Sequence, residues 1–215
     1  MESPKQLNVL FIGHSYVRRA REYRQKKNLT HSILISNYKL NFFYFWIGGQ
    51  NYTQFNSNPN TLAGIKNVGN RNPPDIILVC LAGNAVARPS SFEMPLANHE
   101  MRVFHEWVKT SFPSAKLIPI EAEPRFNYHS ELPKDHGKDG AIKESYKSRR
   151  VSMNSAIKRD KSKDALCQLY NELNDIKYFI PYERNPYVHL NDEGYELYWK
   201  LIMNCLTCCL GKWDI

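Results

Sequence analysis

Three near-continuous apolar runs, Leu7–Ile12, Asp75–Leu81 and Ala115–Ile120, stand out along the chain. Apolar residues without alternation mark strands covered on both faces, as in a parallel sheet. His31–Ile35 and Phe42–Phe45 predict a further extended region, ending in Trp46-Ile47-Gly48-Gly49-Gln50-Asn51, and Tyr178–Ile180 predicts a short last strand. Between these runs the pattern turns helical. Tyr16–Lys27 predicts a first helix, and Asn56–Val68 contains a second. Within Ser90–Phe112, Leu96, Val103, Phe104, Trp107 and Val108 recur at helical spacing. Ala141–Leu173 reads as charged helix broken near Asp160–Lys163, and Leu190–Cys209 as a closing helix, whereas Tyr128–Gly140 reads as a surface excursion. Strands alternating with helices predict one α/β domain over residues 1–215, with a mostly parallel sheet and helices on both faces.

Ligands of such folds bind beyond the carboxyl ends of the strands, so the polar residues placed there carry the functional reading. Gly13-His14-Ser15 follows the first strand and opens the first helix. A serine there sits beside unsatisfied amides at the positive end of a helix dipole, a suitable place to develop negative charge, although serine is also a favoured N-cap. Acyl transfer further needs a base and oxyanion donors. His189, just before the last helix, can supply the base. The side chain of Asn84 and the backbone amides of Ser15 and Gly49 can supply the donors.

Composition adds exclusions. No run approaches the ~20 apolar residues of a membrane span, and Met1–Gln6 lacks the pattern of a secretion signal, so a soluble, intracellular protein is expected. Cys205, Cys208 and Cys209 form half of a zinc-type pattern with no partner pair, and Cys80 reads as a small core residue. Reduced thiols and no metal are expected. The formal net charge of +8 is compatible with nucleic acid or another polyanion, or with solvated helix faces.

Gly13-His14-Ser15, Gly48-Gly49, Ala82-Gly83-Asn84 and His189-Leu190-Asn191-Asp192-Glu193-Gly194 resemble, in order, the four blocks of the SGNH (GDSL-type) hydrolases. The Gly-His-Ser form is similar to an animal retroelement-associated branch. The resemblance implies a flavodoxin-like three-layer α/β/α fold and hydrolysis of acyl esters, often acetyl groups, on small molecules, lipids or carbohydrates. It assigns Ser15 as nucleophile, His189 as base, and Ser15, Gly49 (or Gly48) and Asn84 as oxyanion donors, and implies no cofactor. Two departures stand out. His14 takes the place of a common aspartate. Pro186 occupies the position three before the histidine where the family usually carries an orienting aspartate. The Asn185 side chain, a neighbouring carbonyl or a carboxylate from elsewhere is left to orient His189, giving a Ser–His dyad or incomplete triad. A weakly active or inactive binding module of the same fold is the alternative.

Overall fold

The computed structural model describes residues 3–87, 94–124, 139–169, 172–181 and 188–212, with the backbone alone over 139–145. Five strands, β1 (Lys5–Gly13), β2 (Ser32–Ile35), β3 (Tyr38–Trp46), β4 (Ile76–Cys80) and β5 (Lys116–Pro119), form one sheet in the order β2-β3-β1-β4-β5. All pairings are parallel except β2 with β3. The helices are α1 (Ser15–Lys26), α2 (Tyr52–Asn56), α3 (Pro59–Arg71), α4 (Ala82–Val86), α5 (Met94–Ser111), α6 (Asp139–Arg159) and α7 (Asp192–Leu210).

Continuous apolarity in β1 has the anticipated cause, because its two faces feed two separate cores. Leu7, Val9 and Phe11 pack with α1 and with Tyr198, Trp199 and Ile202 of α7. Leu10 and Ile12 pack on the opposite side with Phe55, Ile65, Phe104 and Val108 from α2, α3 and α5. The result is the three-layer α/β/α architecture with a mostly parallel sheet. The two interior layers come from alternate residues of one strand.

Several local expectations change. The extended region after α1 is a hairpin, with Ser32 opposite Asn41 and Ile35 opposite Tyr38. The segment Asn56–Val68 divides at Asn58, whose side chain caps α3, with Pro59 at the start of that helix. The predicted last strand is instead a short 3-10 turn at Ile176–Tyr178 followed by a single bridge between Phe179 and Leu190. α6 ends at Arg159, where Asp160 turns back to accept from Ser162. The predicted excursion lies outside the described residues over 128–138.

β1, β3 and β4 finish level, with Gly13 opposite both Trp46 and Cys80. This register brings the segments bearing Ser15, Gly49 and Asn84 to one rim.

Candidate active site

Ser15 is the first residue of α1 and not its cap. That place belongs to His14, which is fully buried and accepts the Tyr16 N–H on Nδ1 at 3.4 Å. Relieved of capping, the half-exposed Ser15 side chain turns to the loop before α7, where Ser15 Oγ and His189 Nε2 lie 3.0 Å apart. The two residues are 174 positions apart in sequence. A hydroxyl and an imidazole at this separation are within proton-transfer reach.

The His189 loop is held from three directions. The Tyr16 hydroxyl, from the residue after Ser15, donates to Val188 O at 2.6 Å and approaches Pro124 O at 3.5 Å. On the other side Ile180 N–H donates to His189 O at 2.9 Å, and Asn191 N–H to Tyr178 O at 2.8 Å. Asn191 then caps α7 by accepting from Gly194 N–H at 2.9 Å. Tyr16 was invisible as a site residue in the sequence, where it is one apolar position of a helix. Asn185 and Pro186, the positions on which orientation of His189 was expected to turn, lie outside the described residues.

The prospective oxyanion donors sit on neighbouring strand ends. Gly49 has φ +75°, a left-handed turn conformation that a side chain disfavours, and both Gly48 and Gly49 are exposed. Ile47 N–H donates to Gly13 O at 3.1 Å, tying this turn to the end of β1. Asn84, within the short α4, donates from Nδ2 to Gln50 O at 2.9 Å. The Asn84 block and the double-glycine block are thus joined directly. No hydrogen bond of the Ser15 N–H occurs among the described residues, whereas Val17 and Arg18 N–H both reach His14 O at 3.1 and 3.4 Å.

Below the turn lie three side chains that sequence reading did not connect. His14 follows β1, Cys80 ends β4 and Glu123 lies beyond β5; they are 0%, 0% and 1% exposed. Their His, Cys and carboxylate ligand atoms all lie within 4.8 Å of one another, a grouping of metal-binding type. Burial works to raise the Glu123 pKa, but the His14 imidazole and the Cys80 thiol together hold the carboxyl below its ordinary value. Cys80 is therefore more than the small core residue it was expected to be. A separate cavity of about 700 Å³, lined by residues including Glu121, Asn154, Lys158, Leu201 and Cys205, includes none of Ser15, Asn84 or His189.

Solved structures align with this chain over nearly all of its length. A protein provisionally described as an SGNH hydrolase from Slackia heliotrinireducens aligns at TM-score 0.61 and 12% identity, covering 94% of this chain and 100% of that one. The chain has the SGNH-hydrolase fold. A lipase/acylhydrolase from Enterococcus faecalis aligns at TM-score 0.59 and 10% identity over 92% of this chain and 94% of its own. The psychrotrophic esterase EstA from Pseudoalteromonas sp. aligns at 0.54 and 10% over 95% and 98%. No protein-family model matches the sequence, and no curated protein matches it either. The rim beyond β1, β3 and β4 of this chain carries Ser15, the double glycine and Asn84. Among the described residues no helix is long and apolar enough to cross a membrane.

Proposed function

We propose that this protein is a serine ester hydrolase of the SGNH kind, a single domain that removes an acyl group, such as acetyl, from a small alcohol, lipid or carbohydrate. The observation that carries the reading is the 3.0 Å approach of Ser15 Oγ to His189 Nε2 at the head of α1. His189 takes the hydroxyl proton as Ser15 Oγ attacks the ester carbonyl carbon. The resulting oxyanion is received by the Ser15 and Gly49 amides and the Asn84 side chain, which favour it over the flat ground-state carbonyl. As the carbon–oxygen bond breaks, the imidazolium returns the proton to the leaving alkoxide. Water, deprotonated by the same imidazole, then hydrolyses the acyl-serine and regenerates both groups.

The Pro186 side chain cannot accept a hydrogen bond from a His189 N–H, so the orienting task falls to the Asn185 side chain, a neighbouring carbonyl or a carboxylate from elsewhere. Loss of an orienting aspartate costs about 10⁴-fold in a serine protease. A modest turnover is consequently expected. The test is hydrolysis of short-chain p-nitrophenyl esters together with labelling by a fluorophosphonate probe. Both signals are expected in the wild type and neither in Ser15→Ala; turnover that survives in Ser15→Ala, or a wild type that shows neither signal, refutes the assignment.

A further inference from the structure

His14, Cys80 and Glu123 come from three adjacent strands and meet directly beneath the nucleophile turn. Cys80 Sγ donates to Glu123 Oε1 at 2.5 Å and receives the Tyr198 hydroxyl at 3.4 Å. Across the remaining gap, His14 Nε2 and Glu123 Oε2 face each other at 3.7 Å, an ion-pair distance, and among the described residues neither buried atom has a hydrogen-bond partner. Gly83 packs against this carboxylate, and a Cβ there would collide with Glu123 Oε2. The carboxylate is therefore enclosed on the side of α4 by backbone.

The residue types suit zinc, but the arrangement does not. Two ligands of a tetrahedral zinc, with bonds of about 2.0–2.3 Å, stand roughly 3.3–3.7 Å apart. Cys80 Sγ and Glu123 Oε1 stand only 2.5 Å apart, too close for two ligands of one zinc. Coordination through His14 Nε2 would also move the ring proton to Nδ1, against the Tyr16 N–H that Nδ1 accepts.

We propose that Glu123 and His14 are positioning residues for Ser15: the Glu123 carboxylate keeps the His14 proton on Nε2, leaving Nδ1 as the acceptor that caps α1. The consequence follows from the first turn of that helix. Tyr16 N–H is taken by His14 Nδ1, and Val17 and Arg18 N–H by His14 O. With the Tyr16 and Val17 amides taken in this way, Ser15 N–H is left without a hydrogen bond among the described residues, and it is directed to the acyl oxyanion. A histidine in the other tautomer would set N–H against N–H at Tyr16 and release the turn. The proposal rests on Ser15 being the nucleophile, and it adds a group, Glu123, that touches neither substrate nor Ser15.

The test begins with nitrogen-15 NMR of the wild-type histidine side chains, which is independent of activity. His14 is expected as the Nε2–H tautomer, shifting to a mixture in Glu123→Gln. A wild-type Nδ1–H tautomer overturns the proposal, as does about one equivalent of zinc in the purified protein. Kinetics are then expressed per site titrated with fluorophosphonate, so that loss of folded protein does not count as loss of rate. Glu123→Gln is expected to lower kcat about tenfold, the order of one N-cap hydrogen bond, with KM within twofold. His14→Asn added to Glu123→Gln restores most of the rate, because an asparagine caps without a tautomer to hold. Unchanged kcat per site in Glu123→Gln, or no rescue by His14→Asn, overturns the positioning role. A wild type without Ser15-dependent labelling would instead sink the nucleophile assignment while leaving the tautomer result standing.

Discussion

Removing one hydroxyl from Tyr16 separates the two tasks of the segment that bears Ser15, the proposed nucleophile. Tyr16→Phe keeps a fully buried ring in its contacts with Tyr195 and Tyr198, whose centroids lie 6.4 and 6.2 Å away. It deletes the donor to Val188 O, a 2.6 Å bond to a residue that is 8% exposed. A buried carbonyl deprived of its donor costs about 1–3 kcal/mol, and the ring packing offsets none of it. If the loop stays in place, that whole penalty appears in stability and the rate holds. If the loop moves to rehydrate Val188 O, His189 moves with it, and a shift of about 1 Å can cost 10²-fold in rate. The expected outcome is a combined effect: a lower urea midpoint and a kcat reduced at least tenfold, with KM little changed. Urea unfolding followed by tryptophan fluorescence reads the first, and ester turnover per titrated site reads the second. A variant within about 0.5 kcal/mol of wild type and with unaltered kcat would refute the view that Tyr16 seats the His189 loop.

Asn84→Ala is expected to lower kcat by about 10²–10³-fold, measured with p-nitrophenyl acetate at saturating substrate. Gly83→Ala places a methyl group against Glu123 Oε2 and is expected to cost about 1–3 kcal/mol by overpacking, read from the urea midpoint. Asp160 is a third probe, far in sequence from Ser15. Burial tends to raise its pKa, but hydrogen bonding and charge interaction with His105 and the Ser162 donors outweigh this and hold it below the ordinary 3.8. A depressed folded pKa stabilises the fold fully above about pH 4 and loses that contribution as pH falls through the folded value. Asp160→Asn is expected to destabilise the protein by about 1–3 kcal/mol near neutrality, with the gap to wild type narrowing below pH 4 in urea titrations.

How much of this could be read beforehand depended on whether the signal was local. β1 and β4 were legible because burial on both faces leaves an unbroken apolar run, and the α/β alternation followed from them. β3 was only half seen. Its first residues, Tyr38 to Asn41, include an exposed Lys39 because that end pairs with the edge strand β2. Ser15 and His189 could be singled out as a candidate pair because one opens a helix and the other lies just before one, positions with a chemical meaning in sequence. The group beneath them was not. Cys80 looks like any core thiol and Glu123 lies in a polar run, and they meet His14 only because the strand order puts β1, β4 and β5 side by side. Individual basic residues were no more legible: Arg24 stacks over Trp199 at 4.9 Å with its guanidinium donating to Thr30 O, and Arg149 and Arg150 are 6% and 4% exposed, whereas Arg18, Lys26, Lys27 and Lys158 are exposed.

The docking of α7 has a consequence for biosynthesis. Ser15 leaves the ribosome well before His189, which follows it by 174 positions and lies just before α7, whose Tyr198, Trp199 and Ile202 complete the core on one face of β1. No translation intermediate lacking that helix can bring the imidazole to the hydroxyl. Reactivity of Ser15 toward a phosphonate should therefore be silent until α7 has cleared the exit tunnel and docked on β1, so labelling would report that docking.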